Sequence, residues 1–352
     1  MRQLEVDGTI INEDSDCYVI AEIGHNHQGD LNTAKQLFLA ARDAGANAVK
    51  LQKRDNKSLF TREMYDRPYD NENSFGPTYG AHREFLEFGE SEYRELQRYA
   101  REIGVTFLAT AFDVTSADIL ARLDMPAFKL ASADLINIPL LKHVARYQKP
   151  MFLSTGGGTM DDVRRAYEAV VAINPRLCLL QCTAGYPPEY HELNLRVINT
   201  FSREFPDTVI GFASHDSGIA MALVAYVLGA RVVEKHFTLN RAMRGTDHAF
   251  SLEPVGMRKV VRDLRRARIA LGNGIKTPYP TEVAPLTKMR KKLVASRDLP
   301  AGHVLTADDI AIKSPGDGLP PHEWDNVIGR RTRVPLAADT SLRFDDLDAG
   351  PG

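Results

Sequence analysis

Eight times along this chain, a short apolar run is followed by a polar turn and a segment with the spacing of an amphipathic helix. Apolar runs of this length, rich in β-branched and aromatic residues, predict strands, and helices between successive strands predict a parallel sheet. In chain order the runs are 18–24, 47–52, 105–110, 127–132, 150–155, 177–183, 209–214 and 232–237. Eight such units are what an α/β fold of the (β/α)8 TIM-barrel type requires. An open, doubly wound sheet is the alternative, but no glycine-rich G-x-G-x-x-G turn follows the first run.

The repeat ends well before the chain does. A barrel of this type uses about 250 residues, and the chain has 352. Proline, glycine and charged residues mix over 273–290, and short β-like runs with turn signals follow. The sequence therefore predicts a barrel domain over 1–280, a linker over 281–291 and a small β-rich domain over 292–352. This last domain is too short to bury a large core without help from the barrel or from a partner chain.

Composition excludes several classes of protein. A formal net charge of −2 argues against a nucleic-acid binder, which would carry a basic surplus. No apolar run reaches the about 18 residues of a membrane span, and the first residues lack the apolar core of a signal peptide. Cys178 and Cys182 lie inside an apolar run and are interpreted as buried thiols rather than as a metal pair. The sequence predicts a cytoplasmic protein that contacts neither nucleic acid nor membrane.

Reactive side chains of a TIM barrel lie at the carboxyl ends of its strands, where the loops form an open mouth. A serine or threonine at such a position is more often a turn or helix cap than a ligand contact. Lys50 and Lys129 are more informative, because apolar residues flank both of them, and two lysines in one mouth would form an anion pocket. The polar residues at the strand ends are Glu22, Lys50, Thr110, Lys129, Ser132, Ser154, Thr155, Thr183, Tyr186, His215, Glu234 and His236.

Two histidines, His215 and His236, end consecutive predicted strands. In a closed barrel they would converge, and neutral imidazoles suit a divalent transition metal. From the residues alone, a metal site and a pair of hydrogen-bonded core histidines are equally well supported. Glu22 and Glu234 place carboxylates at the same mouth, where they could transfer protons or hold hydroxyl groups.

A series of motifs is spread over residues 15–348: AEIGHNHQG (21–29), TYGAHREFLEF (78–88), FLATAFD (107–113), FKLASAD (128–134), LSTGG (153–157), LLQCTAGYP (179–187), IGFASHDSGIA (210–220) and EKHFTLNRAMRGTDHAFSLEP (234–254). These motifs occur in the order seen in the sialic acid synthase family, which this chain resembles. The segment from Lys291 onward is similar to the family's C-terminal SAF domain, which itself resembles type III antifreeze proteins. The resemblance thus implies a TIM barrel joined to a small SAF domain, assembled as a domain-swapped homodimer.

The resemblance implies a transferase that condenses phosphoenolpyruvate with an N-acylated amino-sugar aldehyde, such as N-acetylmannosamine. The products would be a nine-carbon sialic-acid-type 2-keto sugar acid and phosphate. Alternative products are nonulosonic acids of the legionaminic, pseudaminic or KDN type. Two other interpretations remain: a synthase of seven- or eight-carbon keto acids, which would lack the SAF segment, and a carbohydrate-binding relative without catalysis. The residues expected to carry catalysis are intact, which argues against a carbohydrate-binding relative without catalysis. They are Glu22, Lys50, Lys129, His215 and His236.

Residue roles carried over from the family fall on matching positions. Mn²⁺, with Mg²⁺ or Co²⁺ as alternatives, would bind His215 and His236. The catalytic set would be Glu22, Glu234, Lys50 and Lys129. The substrate contacts would be Thr110, Ser132, Ser154, Asn73, Tyr186, Asp247, Ser214 and Lys313.

Three positions depart from the family pattern. Two positions at which family members commonly carry polar residues are alanine in this chain, Ala184 and Ala213. Ser214 is adjacent to Ala213. Ser314 replaces an arginine that reaches the sugar's acyl group in many members, and Lys313 lies beside it. The first two changes weaken the expectation for phosphoenolpyruvate contacts, and the third leaves the acylated sugar undefined.

Overall fold

The computed structural model describes residues 2–349. Within them the chain forms two compact units, one extending to Gly272 and the other beginning at Asn273. Each unit has a hydrophobic core of its own.

The first unit is a closed barrel of eight parallel strands, which confirms the predicted fold class. A two-stranded hairpin precedes it, formed by β1 (Gln3–Val6) and β2 (Thr9–Asn12). The barrel strands are β3 (Tyr18–Gly24), β4 (Ala48–Lys53), β5 (Thr106–Ala111), β6 (Phe128–Leu130), β7 (Met151–Ser154), β8 (Leu177–Cys182), β9 (Val209–Ser214) and β10 (Val232–His236). Closure occurs where β10 pairs with β3, so that His236 is opposite Glu22.

The helices of the first unit lie around the barrel, and most of them cover the outward faces of its strands, whereas α2, α3 and α4 belong to the insertion after β4. They are α1 (Leu31–Asp43), α2 (Asn56–Leu59), α3 (Arg62–Asp66), α4 (Tyr79–Leu86), α5 (Glu90–Ile103), α6 (Val114–Arg122), α7 (Ile138–Ala145), α8 (Met160–Val171), α9 (Val197–Glu204), α10 (Ala220–Val227) and α11 (Pro254–Leu271). In α1 the buried residues Ala34, Leu37, Phe38 and Ala41 recur at helical spacing, and Asp30 caps the first turn through Thr33 N. Strands covered in this way are apolar on both faces, which explains their near-continuous hydrophobic runs.

The amino-terminal hairpin closes one end of the barrel. Leu4, Val6 and Ile11 of the hairpin belong to one buried cluster with Tyr18 and Phe152 of the barrel strands. The cluster continues through the barrel interior, and Tyr18, the first residue of β3, marks its end at the amino ends of the strands, where the hairpin packs. The opening of the barrel is therefore at the carboxyl ends, where the sequence places the reactive side chains.

The long insertion after β4 is ordered into the three short helices α2, α3 and α4. The Asn73 side-chain oxygen accepts a hydrogen bond from Gly245 N at 2.9 Å, and Arg244 donates to the carbonyl of Ser74. These contacts join the insertion to the loop that follows β10. The insertion consequently forms part of the wall around the barrel opening.

The second unit contains α12 (Val283–Met289), β11 (Lys292–Ala295), β12 (Ile310–Lys313) and α13 (Trp324–Val327). The strands pair antiparallel around a small core that includes Leu293, Leu305 and Leu342. Segment 281–291, predicted as a linker, contains α12.

Within 2–349, no helix is long and apolar enough to cross a membrane. The three cysteines are buried and free, as predicted for Cys178 and Cys182.

Asp309 is the polar centre of the second unit, and its loss should destabilise that unit. Its fully buried carboxylate accepts hydrogen bonds from Arg297, from His303 Nε2 at 2.9 Å and from Thr306 N at 2.9 Å. Because charged hydrogen bonds of this kind contribute about 1.5–3 kcal/mol each, we expect Asp309→Ala to lower the free energy of unfolding by about 2–4 kcal/mol. Urea denaturation of the full chain would measure this, with Asp345→Ala as the exposed control. Equal stability of both variants would contradict the assignment.

Candidate active site

A cavity of about 710 Å³ opens at the carboxyl ends of the barrel strands. All predicted site residues line it except Ser214 and Lys313. Those that do are Glu22, Lys50, Asn73, Thr110, Lys129, Ser132, Ser154, Tyr186, His215, Glu234, His236 and Asp247. The volume is within the range of small-molecule sites. The structure thus brings into one cavity residues that the sequence spreads over more than two hundred positions.

Two lysines and two glutamates form a buried network at the base of the cavity. Lys50 Nζ lies 2.6 Å from Glu22 Oε2 and 3.8 Å from Glu234 Oε1, and it donates to Thr110 Oγ1 at 2.6 Å. Lys129 Nζ lies 3.5 Å from the same Glu234 oxygen. The four side chains are at most 8% exposed. Charges this deeply buried need such partners, because desolvation of an unpaired charge is costly.

The two glutamates differ in their protonation behaviour. Burial raises the pKa of Glu22 to about 7, and the nearby charge of Glu234 acts in the same direction against Lys50. Burial would also raise the pKa of Glu234, but Lys129 and Lys50 hold it below the ordinary value. Glu234 is consequently ionised at neutral pH, while Glu22 can exchange a proton there. Paired carboxyl groups with separated pKa values are typical of sites that transfer protons.

The two imidazoles converge as predicted, with ring centroids 5.2 Å apart. His215 Nδ1 donates to the carbonyl of Thr183 at 2.9 Å, which leaves Nε2 with the lone pair that a metal ligand needs. Burial lowers the pKa of His215 and of His236, and so both rings are neutral at pH 7. Nδ1 of His236 is buried without a hydrogen bond and lies 3.7 Å from Asp247 Oδ2.

The donor set fits a divalent ion held by two imidazoles. No group of three or more His, Cys, Asp or Glu residues suited to a metal occurs in the described part of the chain. The protein would therefore supply two ligands and leave the other positions to water and substrate, as in an open catalytic site. Two aromatic rings pack against the pair. The ring centroid of Tyr186 lies 4.0 Å from that of His215, and the ring centroid of Phe250 lies 4.9 Å from that of His236.

Hydroxyl groups face the cavity beside Lys129. Ser154 Oγ is buried without a hydrogen-bond partner among the described residues. Ser132 Oγ accepts from Gly156 N at 3.0 Å, and its hydroxyl group can also act as a donor. A buried hydroxyl without a partner is costly, so this side of the cavity is prepared for a ligand with acceptor oxygens.

Two predicted substrate contacts, Ser214 and Lys313, are not among the residues that line this cavity. Ser214 requires a correction: successive strand side chains point to opposite faces, and Ala213 and His215 face the cavity. The Ser214 hydroxyl instead donates to Asp216, whose carboxylate also accepts from Lys235 Nζ at 2.9 Å. Lys313 belongs to the second unit, where it pairs with Asp339, and its substrate contact stays a prediction.

Several cavity residues were not anticipated, notably Gln52, Arg54, Phe112, Arg83 and Thr246. Gln52 Nε2 donates to Glu22 Oε1 at 2.7 Å and orients that carboxylate. Gln52 and Arg54 could have been predicted from the sequence. They follow Lys50 at alternate positions along β4 and its continuation, so the three residues share one face. Arg83 lies in the insertion, where no periodicity indicates its direction.

The fold and the cavity define a (β/α)8-barrel enzyme whose strand ends hold paired lysines, paired carboxylates and two neutral imidazoles. A comparison with family models matches residues 37–276 to the NeuB family and residues 290–348 to the SAF domain. The chain belongs to the NeuB family and ends in a SAF domain, as its resemblance to sialic acid synthases predicted.

Individual relatives agree with this assignment. Human N-acetylneuraminate-9-phosphate synthase is 40% identical over 94% of this chain and 93% of its own length. N,N'-diacetyllegionaminic acid synthase of Legionella pneumophila is 34% identical over 95% of each chain. A solved N-acetylneuraminic acid synthetase from Leptospira borgpetersenii, in complex with citrate, superposes with a TM-score of 0.71 at 30% identity. That comparison covers 81% of this chain and 95% of the other.

Proposed function

We propose that this enzyme condenses phosphoenolpyruvate with an N-acylated amino-sugar aldehyde to give a nine-carbon 2-keto sugar acid and phosphate. The observation that carries the proposal is the buried network of Glu22, Lys50, Glu234 and Lys129 beside two neutral imidazoles in one cavity. The relatives, which are synthases of nonulosonic acids, support the class of product.

Phosphoenolpyruvate would bind at the side of the cavity that holds Lys129, Ser132 and Ser154. There the lysine ammonium and the serine hydroxyl groups can donate to phosphate and carboxylate oxygens, and charge-assisted bonds of this kind are strong. Lys50 and Thr110 extend the same surface. Ala184 and Ala213 also line the cavity but offer no side-chain donors.

The reaction forms a C–C bond between C3 of phosphoenolpyruvate and the aldehyde carbon of the sugar. The C2–C3 and aldehyde C=O π bonds open as it forms, and the aldehyde oxygen takes up a proton to become a hydroxyl group. Water adds to C2 and gives up one proton. The C2–O bond to phosphate then breaks, and phosphate leaves as the remaining C2 hydroxyl loses its proton and becomes the keto group. Glu22, whose pKa is near neutrality, would take the proton from this water. Ionised Glu234 would balance the two ammonium groups and hold sugar hydroxyls, together with Asn73, Tyr186 and Asp247.

His215 and His236 would hold Mn²⁺, with Mg²⁺ or Co²⁺ as alternatives. Such an ion supplies Lewis-acid polarisation of the aldehyde oxygen when it is bound. The domain-swapped homodimer and the cytoplasmic location stay predictions.

Release of phosphate tests the proposal directly. We expect phosphate to appear when the protein is mixed with phosphoenolpyruvate, N-acetylmannosamine and Mn²⁺, and its amount to equal that of the 2-keto acid formed. Omission of the sugar is the control, because simple hydrolysis of phosphoenolpyruvate would not need it. Absence of sugar-dependent phosphate with every amino sugar in a panel would overturn the proposed function.

The pKa of Glu22 predicts the pH profile. Glu22 is protonated below pH 7 and cannot then accept a proton, so kcat/KM should fall about tenfold per pH unit below about 7. The phosphate group of phosphoenolpyruvate titrates near pH 6 and could produce a similar fall. Glu22→Gln separates the two: its rate should drop by about 10²–10⁴, and the remaining fall should move to lower pH. An unchanged profile in this variant would exclude Glu22 as the titrating group.

A further inference from the structure

Two arginines at the cavity wall have no carboxylate partner. Lys50 and Lys129 each pair with a glutamate, whereas neither Arg54 nor Arg83 forms an ion pair with any carboxylate of residues 2–349. Both arginines line the cavity, and Arg54 is 8% exposed. A nearly buried guanidinium without a counter-ion is costly unless a ligand supplies the negative charge.

The imidazole between them cannot satisfy both arginines. Arg54 Nη1 lies 3.2 Å from His25 Nε2, and Arg83 Nη1 lies 3.2 Å from His25 Nδ1. Burial and the two guanidinium charges hold the pKa of His25 well below its usual value, so the ring is neutral. A neutral imidazole has one acceptor nitrogen and one N–H group, and guanidinium groups only donate. In one of the two contacts, therefore, an arginine N–H group faces the N–H group of the imidazole, and no hydrogen bond can form there.

The remaining neighbours do not correct this excess of donors. Arg54 Nη2 donates to Gln52 Oε1 at 2.7 Å, and Arg83 Nε donates to Tyr79 Oη at 3.0 Å. The ring of Phe112 covers one face of the Arg54 guanidinium, 3.7 Å from its central carbon. The edges of both guanidinium groups remain for a ligand that brings several acceptor oxygens and negative charge.

The position of this cluster separates it from the lysine network. Lys50, Gln52 and Arg54 share one face of β4 and its continuation. Four residues of extended chain span about 13 Å, so Arg54 lies far nearer the opening than Lys50 does. A sugar whose aldehyde carbon is deep in the cavity would direct its other end toward Arg54 and Arg83.

We infer that Arg54, Arg83 and His25 form a second anion subsite, which binds a phosphate monoester on the far end of the sugar substrate. The inference rests on the proposed function and narrows its substrate to a phosphorylated amino sugar. Phosphate fits the subsite because its terminal oxygens accept from two planar guanidinium groups at once. Phosphoenolpyruvate has its own donors at Lys129, Ser132 and Ser154.

Kinetics with matched sugars test the inference. The wild-type enzyme, with Mn²⁺ and phosphoenolpyruvate, is assayed with N-acetylmannosamine and with N-acetylmannosamine 6-phosphate. We expect KM for the phosphorylated sugar to be lower by about tenfold or more, since charge-assisted hydrogen bonds of 1.5–3 kcal/mol correspond to about 10- to 100-fold. Arg83→Gln should remove this preference by raising KM for the phosphorylated sugar about tenfold or more, with a much smaller change in KM for phosphoenolpyruvate and for the unphosphorylated sugar. Arg83→Lys should restore it in part.

Controls keep the outcomes distinct. Arg62→Gln changes an exposed arginine of the same insertion and should leave every constant unchanged. Calorimetric binding of N-acetylmannosamine 6-phosphate should weaken in Arg83→Gln, and thermal denaturation confirms that the variant is folded. Equal use of both sugars by the wild type, or a parallel rise of KM for phosphoenolpyruvate in Arg83→Gln, would overturn the subsite. Sugar-dependent phosphate from neither sugar would overturn the proposed function instead.

Discussion

Replacing His236 with alanine should lower kcat by about a thousandfold or more, and added Mn²⁺ should not restore it. The imidazole is 6% exposed and lies beside His215, so it would be one of only two protein ligands to the ion. Loss of Lewis-acid stabilisation worth several kcal/mol accounts for an effect of this size, because each 1.36 kcal/mol changes the rate tenfold. The remaining imidazole would hold the ion weakly.

Metal content gives this prediction a readout that does not depend on activity. We expect the wild-type protein to retain Mn²⁺ through gel filtration and His236→Ala to lose it, as measured by atomic emission. His191→Ala alters an exposed histidine outside the cavity and serves as the matched control. Full recovery of activity at modest Mn²⁺ would refute the ligand role of His236.

Replacing Lys129 with alanine should raise KM for phosphoenolpyruvate strongly and lower kcat/KM by about 30- to 1000-fold. This range corresponds to the about 2–4 kcal/mol associated with loss of one preorganised donor. Lys129 is 4% exposed and lies on β6, which pairs with β7, the strand that ends at Ser154 on the proposed phosphoenolpyruvate side. The KM for the sugar should change far less.

Loss of Lys129 also leaves Glu234 with a single cation, Lys50 at 3.8 Å. Because an unpaired buried charge destabilises a protein, thermal denaturation has to accompany the kinetics. Lys129→Met keeps the volume of the aliphatic stem and should show the same rise in KM in a better-packed protein. Lys142→Ala, which alters an exposed lysine on α7, is the control. An unchanged KM for phosphoenolpyruvate in both Lys129 variants would exclude the proposed contact.

The fold could be predicted from the sequence because its signals are local. Residues 18–24 and 209–214 were predicted as strands and are observed as β3 and β9 with the same bounds. Parallel strands buried on both faces have apolar runs that stand out against amphipathic helices. The amino-terminal hairpin was missed, since its short polar strands carry no such run.

Strand order in the sequence was enough to place Glu22, Lys50, Lys129, His215 and His236 at one end of the barrel, because all parallel strands end on the same side. Successive side chains of a strand point to opposite faces, so only alternate residues near each strand end face the cavity. Ser214 was predicted to contact substrate, although Ala213 and His215 on either side of it already indicated the opposite face.

The sequence by itself determined the class of fold, the family and the end of the barrel at which chemistry occurs, since periodicity and order along the chain encode these. Only the tertiary structure decided which charges neutralise one another and which do not. Closure of β10 onto β3 brings Glu234 to Lys50, and folding of the insertion brings Arg83 to His25. Both are long-range contacts whose partners no local pattern specifies, and the protonation of Glu22 and the free charge of Arg54 and Arg83 follow from them.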